Sequence, residues 1–402
     1  MKIYLKTYGC KVNQYESEKI RYNLLQNGHK FVSNYKDSDI IIINSCIVTA
    51  KSEKKNVDLI KKIKQSNPDK KLIVAGCLVE KNCIKEADLN INNDNKIKKI
   101  LEYFNIKTIK NIAEYEKQTR AFLKIQDGCN QYCSYCIIPY LRDEEKNFDF
   151  NGIIDEANDL ALNNYKEIVL TGIHLGKYDR LASLMKEISK IDKIKRIRLS
   201  SIQINEINDE IVNQIKSNKK VMPHLHISLQ SGSNKILKKM NRPYSKEYYI
   251  DKVKEIQKKI PEIGITTDVI VGFPKETDKD FRETVDVLKK LNIHRVHVFP
   301  FSKRKNTKAY RMKGDIDNSI KSQRARIIRK LSKKLFENFV TKFLGEKLNV
   351  LVESSKNQAS YGYSENYLRC KIESDIIKSN EIVEIKVKSY NSDKRLVITE
   401  KV

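Results

Sequence analysis

Residues 124–136 read KIQDGCNQYCSYC. An apolar segment, AFLKIQ at 121–126, runs into Asp127 and Gly128, and three thiols, Cys129, Cys133 and Cys136, follow within eight residues. A strand that ends in a glycine turn and leads on to a helix is the repeating unit of a parallel-sheet protein. Working outward, five more strand-like segments follow: EIVLTG, RIRLSS, HLHISL, ITTDVIVGFP and RVHVFPF. A helix-like segment, such as DFRETVDVLKKLN, stands after each of the first five strands. Spacings of roughly 30 to 45 residues per unit suit the βα repeats of a barrel, and six units fall short of the eight that close one. The middle of the chain is therefore expected to be a partial (β/α)6 barrel with one side open to a large substrate.

Upstream, KIYLK is a strand, ESEKIRYNLLQNG a helix ending at Gly28, and DIIIIN a buried strand. SEKKNVDLIKKIKQSNP is a helix stopped by Pro68, and KLIVAG is a further strand. This alternation predicts a separate N-terminal α/β domain with a parallel sheet. Downstream, a basic helix over 319–344 leads to Gly345. Beyond it LNVLVESS, NYLRCKIES, EIVEIKVKSY and RLVITE alternate as short strands with polar turns, the pattern of a small antiparallel β-barrel. The expected division is α/β throughout the first two parts: 1–117, 118–344, and a β-barrel at 345–402.

Of the 402 residues 40% are hydrophobic and 32% charged, which places the chain among globular proteins. Its longest apolar runs are strand-sized, well short of the roughly 18 residues a membrane helix needs, so no membrane is expected. The first residues, MKIYLKTYGCKVNQ, carry no signal-peptide core, and the cytoplasm is the expected compartment. The net charge of +27 is the footprint of a polyanion-binding protein, with RNA the first candidate. Base composition offers a second explanation, because an AT-rich gene supplies Lys, Ile and Asn without selection for binding. Position favours RNA: between residues 303 and 347 stand 15 Lys or Arg against 4 Asp or Glu.

Eight cysteines in such a compartment argue against disulfides. Three thiolates on one short loop wrap one face of a 4Fe–4S cube and leave one iron without a protein ligand. An open iron is of no use in simple electron transfer. It suits a small molecule that chelates there, as S-adenosylmethionine does through its amino and carboxylate groups before reductive cleavage to a radical. A zinc site would need a fourth Cys or His nearby, and the next His, His174, lies beyond a full helix. Cys10, Cys46 and Cys77 each follow a strand of the first sheet, which puts all three at its carboxyl edge, where α/β proteins bind ligands. They suit a second 4Fe–4S cluster, against the reading of three unrelated buried thiols. Cys370, in an alternating strand, is expected to be a small buried hydrophobe, and a structural role is expected for Cys83.

The chain resembles the methylthiotransferases, a radical S-adenosylmethionine family, through TYGCKVNQYES, INSC, AGC, DGCNQYCSYCIIPYLR, LTGIHLG, RLSSIQ, HLHISLQSGS and TTDVIVGFPKET. The tail VLVESSKNQASYGYSENYLRCKI resembles the TRAM RNA-binding barrel. GCKVNQYES with HLHISLQSG is most similar to the branch acting on N6-threonylcarbamoyladenosine in tRNA; the isopentenyladenosine branch reads closer to GCQMN, and another branch modifies a ribosomal protein. The resemblance implies that Cys129, Cys133 and Cys136 hold the radical cluster and Cys10, Cys46 and Cys77 the auxiliary one. It puts Tyr135 near the adenine of S-adenosylmethionine and Thr171 and Gly172 near its amino group. Ser201, Gln230 and Gly272 fall at later strand ends that line the cofactor pocket, and Asp268 is a further candidate. Partners implied are a tRNA whose modified adenosine lies beside the anticodon and a low-potential electron donor. The family commonly has Arg-Gly after the Pro-Tyr and then a Ser-Arg pair; LRDEEKNFDF keeps Arg142, has Asp143 for the glycine and lacks the pair, and ADLNINNDNK is shortened. A non-catalytic iron–sulfur RNA-binding protein is the rival of a different class.

Overall fold

The computed structural model describes residues 1–107, 111–112, 114–115, 118–142, 144–373 and 376–402; Asp143 and the expected boundary at 117 lie outside them. The first sheet is built from β1 (Lys2–Thr7), β2 (Lys30–Phe31), β3 (Ile40–Ser45), β4 (Lys71–Gly76) and β5 (Leu89–Ile91), in the order β2-β1-β3-β4-β5. Every pairing is parallel. Helices α1 (Lys11–Gln26), α2 (Ala50–Ser66), α3 (Cys77–Lys81) and α4 (Lys96–Tyr103) connect the strands. The run of four isoleucines in β3 is buried on both faces, as a central parallel strand requires. Ile40 and Ile42 pack with Ile20, Leu24 and Ile100, while Ile41 and Ile43 pack with Ile60 and Ile63.

The central part carries six parallel strands, β6 (Arg120–Lys124), β9 (Glu167–Thr171), β10 (Arg196–Leu199), β12 (His224–Ile227), β13 (Gly264–Val271) and β14 (Arg295–Pro300). Two residue pairs interrupt the series as β7 (Gln126–Asp127) and β8 (Lys146–Asn147), which form an antiparallel hairpin, and β11 (Ser201–Ile202) extends the line of β10. The hydrogen-bonded order is β10-β9-β6 and β11-β12-β13-β14. The halves join where the Ile197 amide donates to the Lys220 carbonyl and the Met222 amide to that of Ile197. No ladder joins β6 to β14 among the described residues, so the barrel is open there. The outer layer is α5 (Phe150–Leu162), α6 (Leu181–Ser189), α7 (Asp209–Ser217), α8 (Asn234–Lys239), α9 (Lys246–Lys259), α10 (Asp278–Lys290) and α11 (Asn318–Val340). The basic segment expected as a connecting helix is α11. It packs on β13, β14 and α10 as the last helix of the barrel's outer layer and buries Arg324, Ala325 and Ile328.

The tail is a closed barrel of five strands, β15 (Lys347–Lys356), β16 (Ala359–Ser364), β17 (Arg369–Glu373), β18 (Ile382–Asn391) and β19 (Leu396–Lys401). Four were expected. β16, ASYGYS, carries no large aliphatic residue, yet its Ala359, Ser360, Gly362 and Ser364 are buried because the small barrel has room only for small groups there. All pairings are antiparallel except β17 with β19. Cys370 is buried in this core, as expected. Cys83 is exposed on the surface, where it follows the short α3.

The tail caps the amino end of the central barrel. Arg196, the first residue of β10, donates to the Tyr363 and Asn349 carbonyls at 2.9 and 2.8 Å. Arg198 donates to those of Glu365 and Ser364 and pairs with the buried Glu167 at 2.7 Å. Tyr367 stacks on His224 with ring centroids 4.4 Å apart. The close approach requires Gly264 at the start of β13, since a Cβ there would lie 2.1 Å from the Asn366 carbonyl oxygen. These contacts lie at the end opposite the one where the cysteine loop emerges.

Candidate active site

The cysteine loop is held from four directions. Gly128 takes φ +75°, and a Cβ there would sit 1.9 Å from the Glu144 carbonyl oxygen, so the turn admits glycine alone. Cys129 then donates its amide to the Arg142 carbonyl at 3.0 Å, closing the loop on itself. The Ser134 amide and hydroxyl donate to the Met240 and Lys239 carbonyls, and the Ser134 carbonyl accepts from Ala309. Asn241 donates to the carbonyls of Gln131 and Tyr132. Cys136 turns back to the Cys133 carbonyl at 2.9 Å. The three thiols converge electrostatically: burial pushes Cys136 up to about 12, and the Cys133 and Cys129 thiols add to the rise.

Two polar side chains reach the sulfurs. Arg242 Nη1 donates to Cys133 Sγ at 3.3 Å, and its Nε donates to Tyr244 Oη, which in turn donates to the Ser228 carbonyl. His174 Nδ1 lies 3.5 Å from Cys129 Sγ. His174 is buried between Glu145 and Glu206, with Gln203 beside it. Burial disfavours its charged form, but the hydrogen bonds to Cys129 and Glu206 outweigh burial and raise its pKa to about 10. Distance along the chain is a poor guide here: the turn after β9 folds His174 back over the loop, and Cys129, Glu145 and His174 bring their ligand atoms within 4.8 Å of one another. Neither Arg242 nor His174 stands out as a site residue in the sequence, because neither belongs to a spaced cluster.

Tyr135 is half-buried against an apolar group that includes Phe273, Phe301 and Met240, linking the loop to the end of β13. Thr171 is buried at the end of β9, and its carbonyl accepts the Ile125 amide at 2.9 Å. Gly172 sits against Gln126, whose carboxamide accepts from the His174 amide and donates to the Gly128 carbonyl. Ser201 is exposed, 3.4 Å from Ser228 Oγ. Asp268 lies 3.1 Å from His226 Nε2, and Ser228 donates to it at 3.4 Å. Gln230 bridges to β13 at φ +67°, with its side-chain Oε1 buried and unpartnered. The Gly272 amide is spent on Glu276 at 2.6 Å and Lys321 covers its α-carbon, so it shapes the strand end and offers no free donor.

Cys10, Cys46 and Cys77 meet at the carboxyl edge of the first sheet. Cys46 directly follows β3, Cys77 opens α3 after β4, and Cys10 is the N-cap of α1. A Cβ on Gly9 would lie 2.7 Å from Cys46 Sγ. Burial lifts the Cys46 thiol to about 11, with Cys77 and Cys10 adding to it. Cys10 is exposed, and desolvation by the protein around it raises its thiol pKa.

The two cysteine sets are coupled by a buried ionic junction. Arg142, whose carbonyl holds Cys129, spans Glu16 on α1 and Asp127 on the loop, with contacts of 2.8 to 3.0 Å. Lys124 and Lys96 also reach Glu16, at 2.9 and 2.6 Å. Asn93 donates toward Cys77 Sγ at 3.7 Å and accepts from Arg142 at 3.1 Å. A cavity of about 520 Å³ opens beside the junction, lined by Glu16, Asn93, Lys124, Asp127 and Arg142 among others.

Whether this set fits iron–sulfur clusters and a chelating cofactor is decided by donors and by unmet polar groups. Each site offers three thiols and no fourth cysteine among the described residues. Beside the loop Arg242 Nη2 is buried without a partner, as are Ser200 Oγ and Gln230 Oε1 on the barrel strands, so polar groups remain that a ligand can satisfy. On both counts the residues fit.

Comparison with known proteins agrees. The Radical SAM superfamily model matches residues 123–288, and that described as Uncharacterized protein family UPF0004 matches residues 2–97. A threonylcarbamoyladenosine tRNA methylthiotransferase MtaB of Aquifex aeolicus is 36% identical, covering 93% of this chain and 97% of its own. The protein of the same name in Bacillus subtilis is 34% identical, over 95% and 92%. A tRNA-2-methylthio-N(6)-dimethylallyladenosine synthase of Thermodesulfovibrio yellowstonii is 34% identical, over 96% and 95%. Among solved structures, the radical S-adenosylmethionine methyltransferase TsrM of Kitasatospora setae shares the fold, with a TM-score of 0.58 at 12% identity over 77% of this chain and 75% of that one. Two cysteine triads, a partial barrel and relatives matched nearly end to end lead to one conclusion: the chain belongs to the methylthiotransferase family of radical S-adenosylmethionine enzymes.

Proposed function

We propose that this protein is a transferase that adds a methylthio group to carbon 2 of N6-threonylcarbamoyladenosine beside the anticodon of tRNA. The observation that carries this reading is the pair of three-cysteine sites at the carboxyl edges of two parallel sheets, coupled through Arg142. They stand in a chain that matches relatives of that name over more than nine-tenths of its length. We assign 1–117 to the auxiliary-cluster domain, 118–344 to the radical domain and 345–402 to an RNA-binding barrel.

Cys129, Cys133 and Cys136 would hold one 4Fe–4S cluster and Cys10, Cys46 and Cys77 the other, and with S-adenosylmethionine bound they would supply its reductive cleavage to a radical and a methyl group for transfer with sulfur. Arg242 neutralises charge at the Cys133 sulfur and orients it. Thr171, Gly172, Ser201, Gln230 and Asp268 line the cofactor and substrate pocket, Tyr135 and Gly272 shape its wall, and the Gln230 carboxamide oxygen is free to accept a ligand hydrogen bond. The junction of Glu16, Lys124 and Arg142 keeps the two triads in fixed register. Arg326, Arg329, Lys330 and Lys334 are exposed along α11 and offer a basic face for the phosphate backbone. Two cations of the same basic block do not: Arg304 pairs with Glu53 and Arg324 with Glu276 in the interior. Among the described residues no helix is long and apolar enough to cross a membrane. We place the reaction in the cytoplasm, with a low-potential electron donor.

Nucleoside mass spectrometry tests this reading. Reconstituted protein with S-adenosylmethionine and reductant should convert threonylcarbamoyladenosine in tRNA to its 2-methylthio form. Conversion of isopentenyladenosine in its place would move the protein to the other branch, and no methylthiolated nucleoside from either would overturn the assignment.

A further inference from the structure

The cavity beside the ionic junction, about 520 Å³, falls within the roughly 300–1,000 Å³ of small-molecule sites. No cysteine is among the described residues that line it, so it is distinct from both thiol sets. Asp127, Gly128 and Arg142 line it beside the cysteine loop: the first two lead into Cys129, and the carbonyl of the third holds the Cys129 amide. Asn92, Asn93 and Asn95 line it from the first domain. The two segments in which the chain departs from its family's pattern, 87–96 and 141–150, both contribute to this lining.

Two aromatic rings of the lining, Tyr140 and Phe148, are each 40% exposed, although both stand on fixed backbone. Tyr140 ends the 3-10 turn Ile138–Tyr140, in which Pro139 is buried, and its amide donates to the Ile137 carbonyl at 3.0 Å. Phe148 follows β8, and its amide donates to the Ile125 carbonyl at 2.9 Å. Tyr132 of the cysteine loop, also exposed, meets the Tyr140 ring edge-on with centroids 5.6 Å apart. It holds φ +48°, a region that disfavours a bulky residue, and Asn241 donates to its carbonyl. Lys124 Nζ lies 5.2 Å from the Phe148 ring centroid. Single exposed apolar side chains are ordinary. Rigid aromatic rings gathered at a cavity are a platform for an unstacked base. The polar lining suits a base as well. Arg142 is buried and its Nε has no partner, and Asn95, the N-cap of α4, makes no side-chain capping hydrogen bond. Six cations and five carboxylates stand among the described lining residues, and thiolates of the two neighbouring sites add negative charge. That balance disfavours a strongly anionic ligand and leaves a neutral aromatic ring as the group to be bound.

We propose that this cavity takes the base of a nucleotide flanking the modified adenosine, unstacked from the anticodon loop and laid against Tyr140 and Phe148. This rests on the function proposed above. The modified adenosine must come to the Cys129 loop, and the cavity is lined by the residues directly before Cys129, so a neighbour in the same single-stranded loop is within reach. Stacking on the two rings should contribute about tenfold or more to affinity.

The test uses reconstituted full-length enzyme and three anticodon stem-loops bearing threonylcarbamoyladenosine: one intact, one abasic at its 5′ neighbour and one abasic at its 3′ neighbour. Wild type should bind one of the abasic loops about tenfold more weakly than the intact loop. The double variant Tyr140→Leu, Phe148→Leu keeps apolar bulk without a ring. At unchanged iron content it should lose about as much affinity for the intact loop and bind that abasic loop as wild type does. Tyr140→Phe, which keeps the ring, should retain wild-type affinity. Wild type with equal affinity for all three loops overturns the proposal, and that comparison needs no variant. A double variant that binds the intact loop normally also overturns it and leaves the rings to a protein partner. Equal losses for intact and abasic loops, or a loss in Tyr140→Phe, overturn it by assigning the rings a structural role. Wild type that binds none of the loops and methylthiolates no tRNA overturns the functional reading itself.

Discussion

Replacing Glu16 by Gln keeps the shape of the side chain and removes the charge that organises the junction between the two cysteine sites. Glu16 is 3% exposed and faces three cations: Lys96 at 2.6 Å, Arg142 at 2.8 Å and Lys124 at 2.9 Å. After the substitution Asp127 still meets Lys124 and Arg142. Lys96 keeps only amide oxygens, Asn44 Oδ1 at 3.0 Å and Asn93 Oδ1 at 3.4 Å. Breaking a buried ion pair by removing one partner costs about 3–5 kcal/mol. The two amide oxygens place Glu16→Gln at the lower end, about 3 kcal/mol, a large share of the roughly 5–15 kcal/mol that holds a domain folded. Lys96→Met in the Glu16→Gln background removes the orphaned ammonium and should return about 1 kcal/mol or more, a coupling that the double-mutant cycle reads directly. The assay is urea unfolding of the apoproteins by far-ultraviolet circular dichroism at constant m. Acid supplies a second arm. Burial works to raise the Glu16 pKa, but Arg142, Lys124 and Lys96 hold it well below the ordinary 4.5. Its contribution is therefore complete above about 4.5 and lost as pH falls through the lowered folded-state value, so the gap between wild type and Glu16→Gln should close in acid. A loss under about 1 kcal/mol at neutral pH, or no recovery with Lys96→Met, would refute the reasoning.

Other outcomes follow from the same structure. Reconstituted protein should carry about eight irons, and changing Cys129, Cys133 and Cys136 together to Ala, or Cys10, Cys46 and Cys77 together, should each halve that number, as counted by iron analysis. Replacing His174 by Phe removes a hydrogen-bond partner of Cys129 Sγ and should lower the midpoint potential of the loop cluster by about 40 mV, the one-electron equivalent of about 1 kcal/mol, in an anaerobic redox titration; an unchanged potential counts against the hydrogen bond. Changing Arg326, Arg329, Lys330 and Lys334 to Gln should weaken tRNA binding and reduce the slope of log affinity against log salt by about one for each phosphate no longer neutralised. Deleting the tail after Gly345, the simpler test of RNA binding, should instead destabilise the central barrel, because Arg196, Arg198, Phe336 and Phe339 are deprived of the partners that bury them.

The parts of the fold that the sequence reveals are those where local chemistry and tertiary position coincide. The isoleucine run of β3 and the glycine turn after β6 announce a parallel sheet and its carboxyl edge, and that edge brings Cys10, Cys46 and Cys77 together on strand order alone. What the sequence does not reveal depends on packing between distant segments. β16 has no apolar pattern because its inward residues must be small. The charge on α11 reads as a linker's, while its Ala325, Ile328 and Leu335 complete the barrel core. Lys96 and Glu16 are eighty residues apart, and each alone reads as a solvated charge. His174 approaches Cys129 across a helix, and no spacing rule connects them.

The central claim is that the two cysteine sets have separate roles in one reaction. Cys46→Ala and Cys133→Ala enzymes, reconstituted anaerobically and given S-adenosylmethionine, strong reductant and tRNA bearing threonylcarbamoyladenosine, separate them when 5′-deoxyadenosine and methylthiolated nucleoside are measured together by mass spectrometry. Ala is preferred to Ser, which retains a metal-binding oxygen. The account predicts that Cys46→Ala still yields 5′-deoxyadenosine but no methylthiolated tRNA, and that Cys133→Ala yields neither. Multiple-turnover methylthiolation by Cys46→Ala, or reductive cleavage by Cys133→Ala, would contradict it.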